Sequence, residues 1–384
     1  MENKKLKYSI LRIIVDTIFI ILMLAIFWLF IDKMWSDEWL DDALLFITQG
    51  FLKVLLPIFI IEIIVILFSS IFHELGHLIF GLRAKLIFKS FNVKGLSIIR
   101  ENNHYKINKE PSQKGLLGYC EMFFDDKYNY PKSKVILYFL GGIIFNLILM
   151  LMFIIVLIVS NNEYIRLLCM VFIIFNFYMG AYNSIPYITS FGNITDMRHI
   201  INYVNDPEYS KKFGVVSKII RQYSKRNSID DIDENLIFMP KSFTSDVDIT
   251  IATIYIGYLS EKKDYNGVLK TIKYVQDNSK KTLSKSQINM LKIYEVDCIM
   301  NTKYDEERIK EIWSKEFGEF VNQMSIISIS FLGFNYLYYS LVNIDRNKAN
   351  EILEQFEKRK NKCKDKKEVE ETEIIIRNVN KYIK

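Results

Sequence analysis

The stretch Ser69-Ser70-Ile71-Phe72-His73-Glu74-Leu75-Gly76-His77-Leu78-Ile79-Phe80 closes an apolar run over residues 51–80, and its reading decides the fold. Residues four apart share one face of a helix. His73 and His77 can therefore aim both imidazoles at a single Zn²⁺ while Glu74 lies beside a water on that metal. The plain alternative is a helix that happens to carry two of the chain's four histidines. Against it, an ionisable side chain at the centre of a spanning helix costs about 2.5 to 3.5 kcal/mol on insertion scales. Two histidines and a glutamate within one turn and a half call for a ligand, and a zinc ion supplies one.

Working outward, the run over 51–80 is long enough to cross a bilayer core of about 30 Å, and so is the run over 8–31 before it. The first run follows three lysines, Lys4, Lys5 and Lys7, and is broken only by Arg12 and Asp16. Its apolar region exceeds that of a signal peptide and no small-residue cleavage site follows, so it reads as an uncleaved first span. The connection over 32–50 carries Asp32, Asp37, Glu38, Asp41 and Asp42 against a single Lys33, whereas the segment over 81–134 carries eleven Lys and Arg. By the positive-inside rule the amino terminus and the segment after His77 are cytoplasmic. Glu62 lies three turns before His73 on nearly the same face. It either lines a polar cavity or bonds to a neighbouring helix.

Between residues 86 and 124 the period changes to two, with Gly and Asn breaks at Gly95, Asn102 and Asn103. This predicts a small set of β-hairpins. An unpaired edge strand there could take up an extended peptide by strand addition. His104 sits on a polar tip and reads as a solvated loop residue. A third span runs over 135–160 and contains Gly141-Gly142-Ile143-Ile144-Phe145-Asn146; its glycines permit close helix packing, and Asn146 needs a polar partner in hydrocarbon. A fourth span over 164–182, with Asn176 inside it, ends in Asn183-Ser184-Ile185-Pro186 and is followed by Asp196. Four spans return the chain to the cytoplasm, so Asp196 can lie at the membrane level of His73 and His77.

These motifs together resemble the site-2 protease family of intramembrane zinc metallopeptidases, over residues 51 to about 199. His73-Glu74-Leu75-Gly76-His77 is the H-E-x-x-H of the family's first core helix. Gly142 to Asn146 is similar to its middle G-P-x-x-N signature, with Gly142 where proline is usual, and Asn183 to Pro186 matches its N-x-x-P. The resemblance implies a zinc site of His73, His77 and Asp196 with Glu74 as general base. It also implies Asn146 or Asn183 as a substrate-binding or oxyanion donor. Where the family has Asp-Gly this chain has Asp196-Met197, and His199, one helical turn later, is a second candidate for the third ligand. Zinc with three protein ligands lowers the pKa of a bound water towards about 7, and Glu74 would take that proton and deliver it to the leaving amine.

After Pro186 the composition shifts to Lys and Glu. Residues 200–246 read as a helix and linker, and 247–384 as helical pairs: 247–260 with 266–275, 287–300 with 304–313, 325–342 with 348–358, and a closing helix over 369–383. Turns containing Tyr265, Tyr304 and Ile344 recur every 39 to 40 residues, which suggests a tetratricopeptide-like array. The run over 325–344 is apolar enough for a fifth span, but its serines, asparagines and the Lys-rich tail after it favour a soluble helix.

The expected fold is thus mainly α: a polytopic core of about four spans with a β-hairpin insertion at 86–124, then a cytoplasmic helical-repeat domain. The expected parts are 1–50, 51–199, 200–246 and 247–384. A net charge of +6 without Arg-rich blocks argues against nucleic-acid binding. Cys120, Cys169, Cys298 and Cys363 are too dispersed for a cysteine zinc site or a disulfide framework. The expected activity is zinc endopeptidase cleavage of a membrane-embedded or membrane-released peptide in the cell membrane of a bacterium, with a cytoplasmic protein partner for the repeats. A PDZ domain is not apparent, which favours peptide maturation or clearance. A catalytically silent adaptor acting through the repeats is the alternative; a transporter would need more spans.

Overall fold

The structure is a computed structural model, and it describes residues 2–36, 56–101, 104–109, 116–125, 130–189, 193–206, 208–226, 232–279, 283–363 and 365–383. The acidic connection around Asp37, Glu38, Asp41 and Asp42, the Asn102-Asn103 tip, Gly115 and Gly192 lie outside them. The fold is mainly helical with one small antiparallel sheet. Among the described residues the chain divides into two compact units, Met1–Ser210 and Lys211–Lys384.

In the N-terminal unit, α1 (Glu2–Ser36), α2 (Leu56–Arg83), α3 (Lys132–Val159) and α4 (Glu163–Asn183) each contain a segment long and apolar enough to cross a membrane. They are those expected from hydropathy. No more than about a third of each apolar window is buried, and Leu24, Phe59, Leu151 and Ile158 point outward. That is how a helix looks when lipid is its solvent. Where α2 and α3 cross, they do so at glycines. A Cβ at Gly76 would collide with the Gly141 carbonyl, and a Cβ at Gly141 would collide with the Gly76 backbone. Asn176 of α4 donates to Ser69 Oγ of α2 at 2.9 Å and to the Phe172 carbonyl at 2.8 Å. A polar group inside an apolar bundle is thus bonded within it.

Four strands follow α2: β1 (Ile87–Val93), β2 (Leu96–Glu101), β3 (His104–Lys109) and β4 (Gly118–Phe123), all antiparallel in the order β3-β2-β1-β4. The β1–β2 turn is Lys94-Gly95, both with positive φ (50° and 87°), a two-residue turn whose twist suits a hairpin. The alternation seen in the sequence is obeyed: Ser90, Asn92 and Ser97 turn inward, and Leu96, Ile98 and Ile107 outward. His104 is exposed at the start of β3, opposite Glu101.

After α4, residues 185–189 pair with residues 193–195. Ile188 pairs with Ile194, the Thr189 amide donates to the Asn193 carbonyl at 2.8 Å, and Thr195 Oγ1 donates to the Ile185 carbonyl at 2.6 Å. This small hairpin delivers α5 (Asp196–Asn205) with Asp196 as its first residue. Helix α6 (Tyr209–Arg226) follows.

The C-terminal unit holds α7 (Asp246–Glu261), α8 (Tyr265–Ser279), α9 (Lys285–Asn301), α10 (Glu306–Ile312), α11 (Lys315–Ile327), α12 (Ser330–Leu337, continued by a π turn over Tyr338–Val342), α13 (Arg346–Lys360) and α14 (Lys366–Asn380). Their starts are written in the sequence. Ser245 with Asp248 and Ser284 with Gln287 form capping boxes, while Asp305, Asp345 and Asp365 cap α10, α13 and α14.

One expectation fails. The continuous helix over 325–342 is broken at Ser328, which is extended, and α11 begins at Lys315 behind the cap Ser314. The break is polar: Ser328 and Ser330 both bond to the Glu368 carboxylate of α14, the Ser330 amide at 3.2 Å. Every residue of α12 from Phe331 to Leu337 is buried, so this apolar run is core and not a span. Helical hairpins are present. A tetratricopeptide array is not established, since two short helices, α10 and α11, stand between α9 and α12.

Candidate metal centre

Two turns from the end of α2, the i, i+4 spacing places His73 and His77 side by side, both buried. Their Nε2 atoms are 3.4 Å apart. The hairpin over 185–195 brings Asp196 against them. Its Oδ2 is 3.4 Å from His73 Nε2 and its Oδ1 is 3.4 Å from His77 Nε2. No other group of three or more metal-ligating side chains is clustered in this way among the described residues. His199 is not part of it; its ring stacks on Phe139 at 4.8 Å and its Nδ1 meets the Tyr209 hydroxyl at 3.0 Å.

These atoms fit a zinc ion. Tetrahedral ligands at about 2.0–2.1 Å from a metal stand about 3.3–3.4 Å from one another. Asp196 Oδ2 is buried and accepts no hydrogen bond, which a metal would correct. Burial works against the Asp196 carboxylate, but the imidazoles of His77 and His73 outweigh it and hold its pKa below the ordinary range. The donor set of two imidazoles and one carboxylate is typical of hydrolytic zinc.

The far side of each imidazole is also held. His77 Nδ1 lies 2.9 Å from the Tyr138 carbonyl of α3, so Nδ1 carries the proton, donates it to that oxygen and leaves Nε2 with its lone pair. His73 Nδ1 lies 3.1 Å from the fully buried Asn146 carboxamide. A half-turn of that carboxamide offers Oδ1 to an Nδ1 proton, freeing Nε2 in the same way. Gly142 leaves room for both rings, because a Cβ there would meet His73 and His77. Asn146 thus sits behind His73, bonded to the outer nitrogen of its ring. Asn183 lines the cavity, with Nδ2 bonded to the Met179 carbonyl at 3.1 Å.

Glu74 is buried beside the triad and receives the Cys120 amide of β4. Among the described residues strand β4 pairs only with β1, and residues 116–120 line the same cavity as the triad. Burial, with Glu74 adding to it, pushes the Cys120 thiol pKa up. The cavity has a volume of about 680 Å³. Glu62 does not line it. Several lining residues are not among those the sequence motifs point to as site residues: Arg12 of α1, Tyr138 and Phe139 of α3, and Thr195. Arg12 was visible as an intramembrane charge; Tyr138 acts through its backbone, which no residue pattern announces.

No curated protein and no solved structure matches the chain. The family model of peptidase family M50 matches residues 61–337, more than half of the chain and well beyond α5. Together with four membrane-capable helices and a metal-ready triad on an H-E-x-x-H helix, this places the chain in peptidase family M50, the intramembrane metalloproteases.

Proposed function

We propose that the protein is a zinc endopeptidase that hydrolyses a peptide bond of a membrane-embedded or membrane-associated peptide. The observation that carries this reading is the triad of His73, His77 and Asp196, with the two Nε2 atoms 3.4 Å apart and each 3.4 Å from one oxygen of the Asp196 carboxylate, and Glu74 beside it. When bound, zinc would supply Lewis acidity for the scissile carbonyl and a more acidic water. The chain's own groups do the remainder. Glu74 takes the proton from the attacking water and passes it to the departing amide nitrogen. Tyr138 and Asn146 hold the imidazoles in the metal-binding tautomer. Asn183, lining the cavity, is the remaining side-chain candidate to donate to the oxyanion.

A helical substrate bonds its carbonyls to its own amides and must unwind before cleavage. Among the described residues β4 pairs on one edge only, and its other edge supports capture of the unwound segment, since strand addition there runs past Glu74. The lysines of the amino terminus and the basic segment over 81–134 support cytoplasmic termini and cleavage near the cytoplasmic face. The C-terminal unit would then meet a cytoplasmic protein partner.

Zinc content of the purified protein tests the site without a known substrate. About one zinc per chain, lost with His77→Ala and Asp196→Ala and kept with His199→Ala, is expected. A chain that takes up no zinc would return the adaptor reading, in which the helices of the C-terminal unit do the work.

A further inference from the structure

The cavity that holds the triad is also lined by Arg12, a guanidinium in the first span. The family match begins at residue 61, so α1 is an addition to the matched core. Charged side chains inside a span are rare and face a polar cavity or a partner.

The surroundings of Arg12 hold it without occupying its donors. Its guanidinium lies over the rings of Tyr182 and Tyr187, 5.3 and 4.9 Å from their centroids. The nearest carboxylate is Asp16, with Oδ2 3.6 Å from Nε, beyond hydrogen-bond distance. Asp16 itself is held by the Tyr178 hydroxyl at 2.9 Å, and Tyr178 stacks on Phe19 at 4.2 Å. Among the described residues none accepts a hydrogen bond from Arg12. A planar fork of five N–H donors, fixed by aromatic faces and turned into a peptide-sized cavity, suits a carboxylate, which it can bind through two parallel bonds. Lys94 is the other cationic residue lining the cavity, and Glu74 and Asp196 are its acidic residues.

We propose that Arg12 determines specificity: it receives a carboxylate of the bound peptide, from an acidic side chain or from the terminal carboxyl group. The proposal rests on the cavity being the peptide site. Tyr182 and Tyr187 set the plane of the guanidinium, and Asp16 tempers its charge while no peptide is bound.

The test uses the full chain carrying Glu74→Gln, so that peptides stay intact, in phosphatidylcholine nanodiscs. The probes are fluorescein-labelled Leu/Ala host peptides with a central Asn-Gly, in matched sets: one Glu or one Gln near the centre, and a free or amidated carboxyl terminus. Anisotropy gives the affinities. At least one carboxylate-bearing peptide should bind about tenfold more tightly than its neutral twin, as a charge-assisted bond requires. The Glu pair and the terminal pair identify the source. Adding Arg12→Gln should abolish the preference, and Asp16→Asn, which frees the guanidinium from its acidic neighbour, should enlarge it. No preference in the parent, or one unchanged by Arg12→Gln, overturns the proposal. If Arg12→Gln fails to fold, a preference that does not grow with Asp16→Asn overturns it. If Arg12→Gln alters only the stabilisation gained from phosphatidylglycerol, the guanidinium serves a lipid phosphate and the proposal falls. Zinc content and hydrolysis by the Glu74 parent are measured beside it. Loss of those condemns the peptidase reading while a carboxylate preference would still stand.

Discussion

The two units bury polar groups for different ends. In the N-terminal unit, Ser69 and Asn176 bond across helices, while His73, His77, Asp196 and Asn146 converge on one point. In the C-terminal unit, buried Ser245, Asp248 and Ser325 satisfy helix ends or nearby carbonyls, and the cores around Val296, Phe317 and Leu337, and around Ile256 and Val268, are aliphatic and aromatic. Water makes apolar burial the driving force for the second arrangement. In lipid that force is absent between helices, so α2 and α3 meet through glycine backbones. The expectation is that substitutions at the site of the membrane unit change chemistry without loss of fold, and that unfolding of the C-terminal unit leaves metal binding unchanged.

The largest effect expected is on chemistry. Glu74→Gln should lower peptide hydrolysis by roughly 10²-fold to 10⁴-fold, the usual worth of a general base, with zinc retained; turnover and metal content on one preparation check it. Gly142→Ala should follow, because its Cβ enters the space of both imidazoles. It should weaken zinc affinity by about 10-fold to 100-fold, as disturbance of a supporting shell does, read by competition with a chromogenic chelator. Ile256→Ala, fully buried in the C-terminal unit, should cost about 2–5 kcal/mol of that unit's stability. Zinc content should not move, and if it does the contrast between the units fails.

The smallest effect is a pH dependence confined to the C-terminal unit. Burial raises the pKa of Asp297 to about 6, against bonds from Ser260 and Asn301 that lower it, and burial likewise raises that of Glu371 to about 6. Between pH 4 and 6 the folded unit then binds more protons than the unfolded chain. Its stability falls as the pH rises through that window and levels off above it. Denaturant melts at steps of pH check this, and Asp297→Asn should flatten the curve.

What could be read without coordinates was local. Helix periodicity, Asp and Ser caps, the Lys94-Gly95 turn and the i, i+4 histidines each follow from a few neighbouring residues, which is why the four spans, the hairpins and most C-terminal helices were legible. Helix α11 was legible too, from Ser314 followed by Phe317, Phe320, Val321 and Met324 at helical spacing, but the longer apolar run over 325–342 obscured it. Ser328 and Ser330 gave no warning of a break, because their partner Glu368 is 38 or more residues away.

The sequence by itself determined His73, Glu74 and His77 as a unit, since one helix turn is enough to set their geometry. Only tertiary structure decided the rest of the site. Asp196 reaches the histidines through a hairpin closed by Ile188 and Ile194. Asn146 and the Tyr138 carbonyl reach them because Gly76 and Gly141 let two helices touch. Arg12 reaches the cavity because Phe19 and Tyr178 seat α1 against α4. The hairpin pair is only six positions apart, but Gly76 and Gly141 are 65 apart and Phe19 and Tyr178 are 159 apart, and no local pattern encodes a partner at those distances.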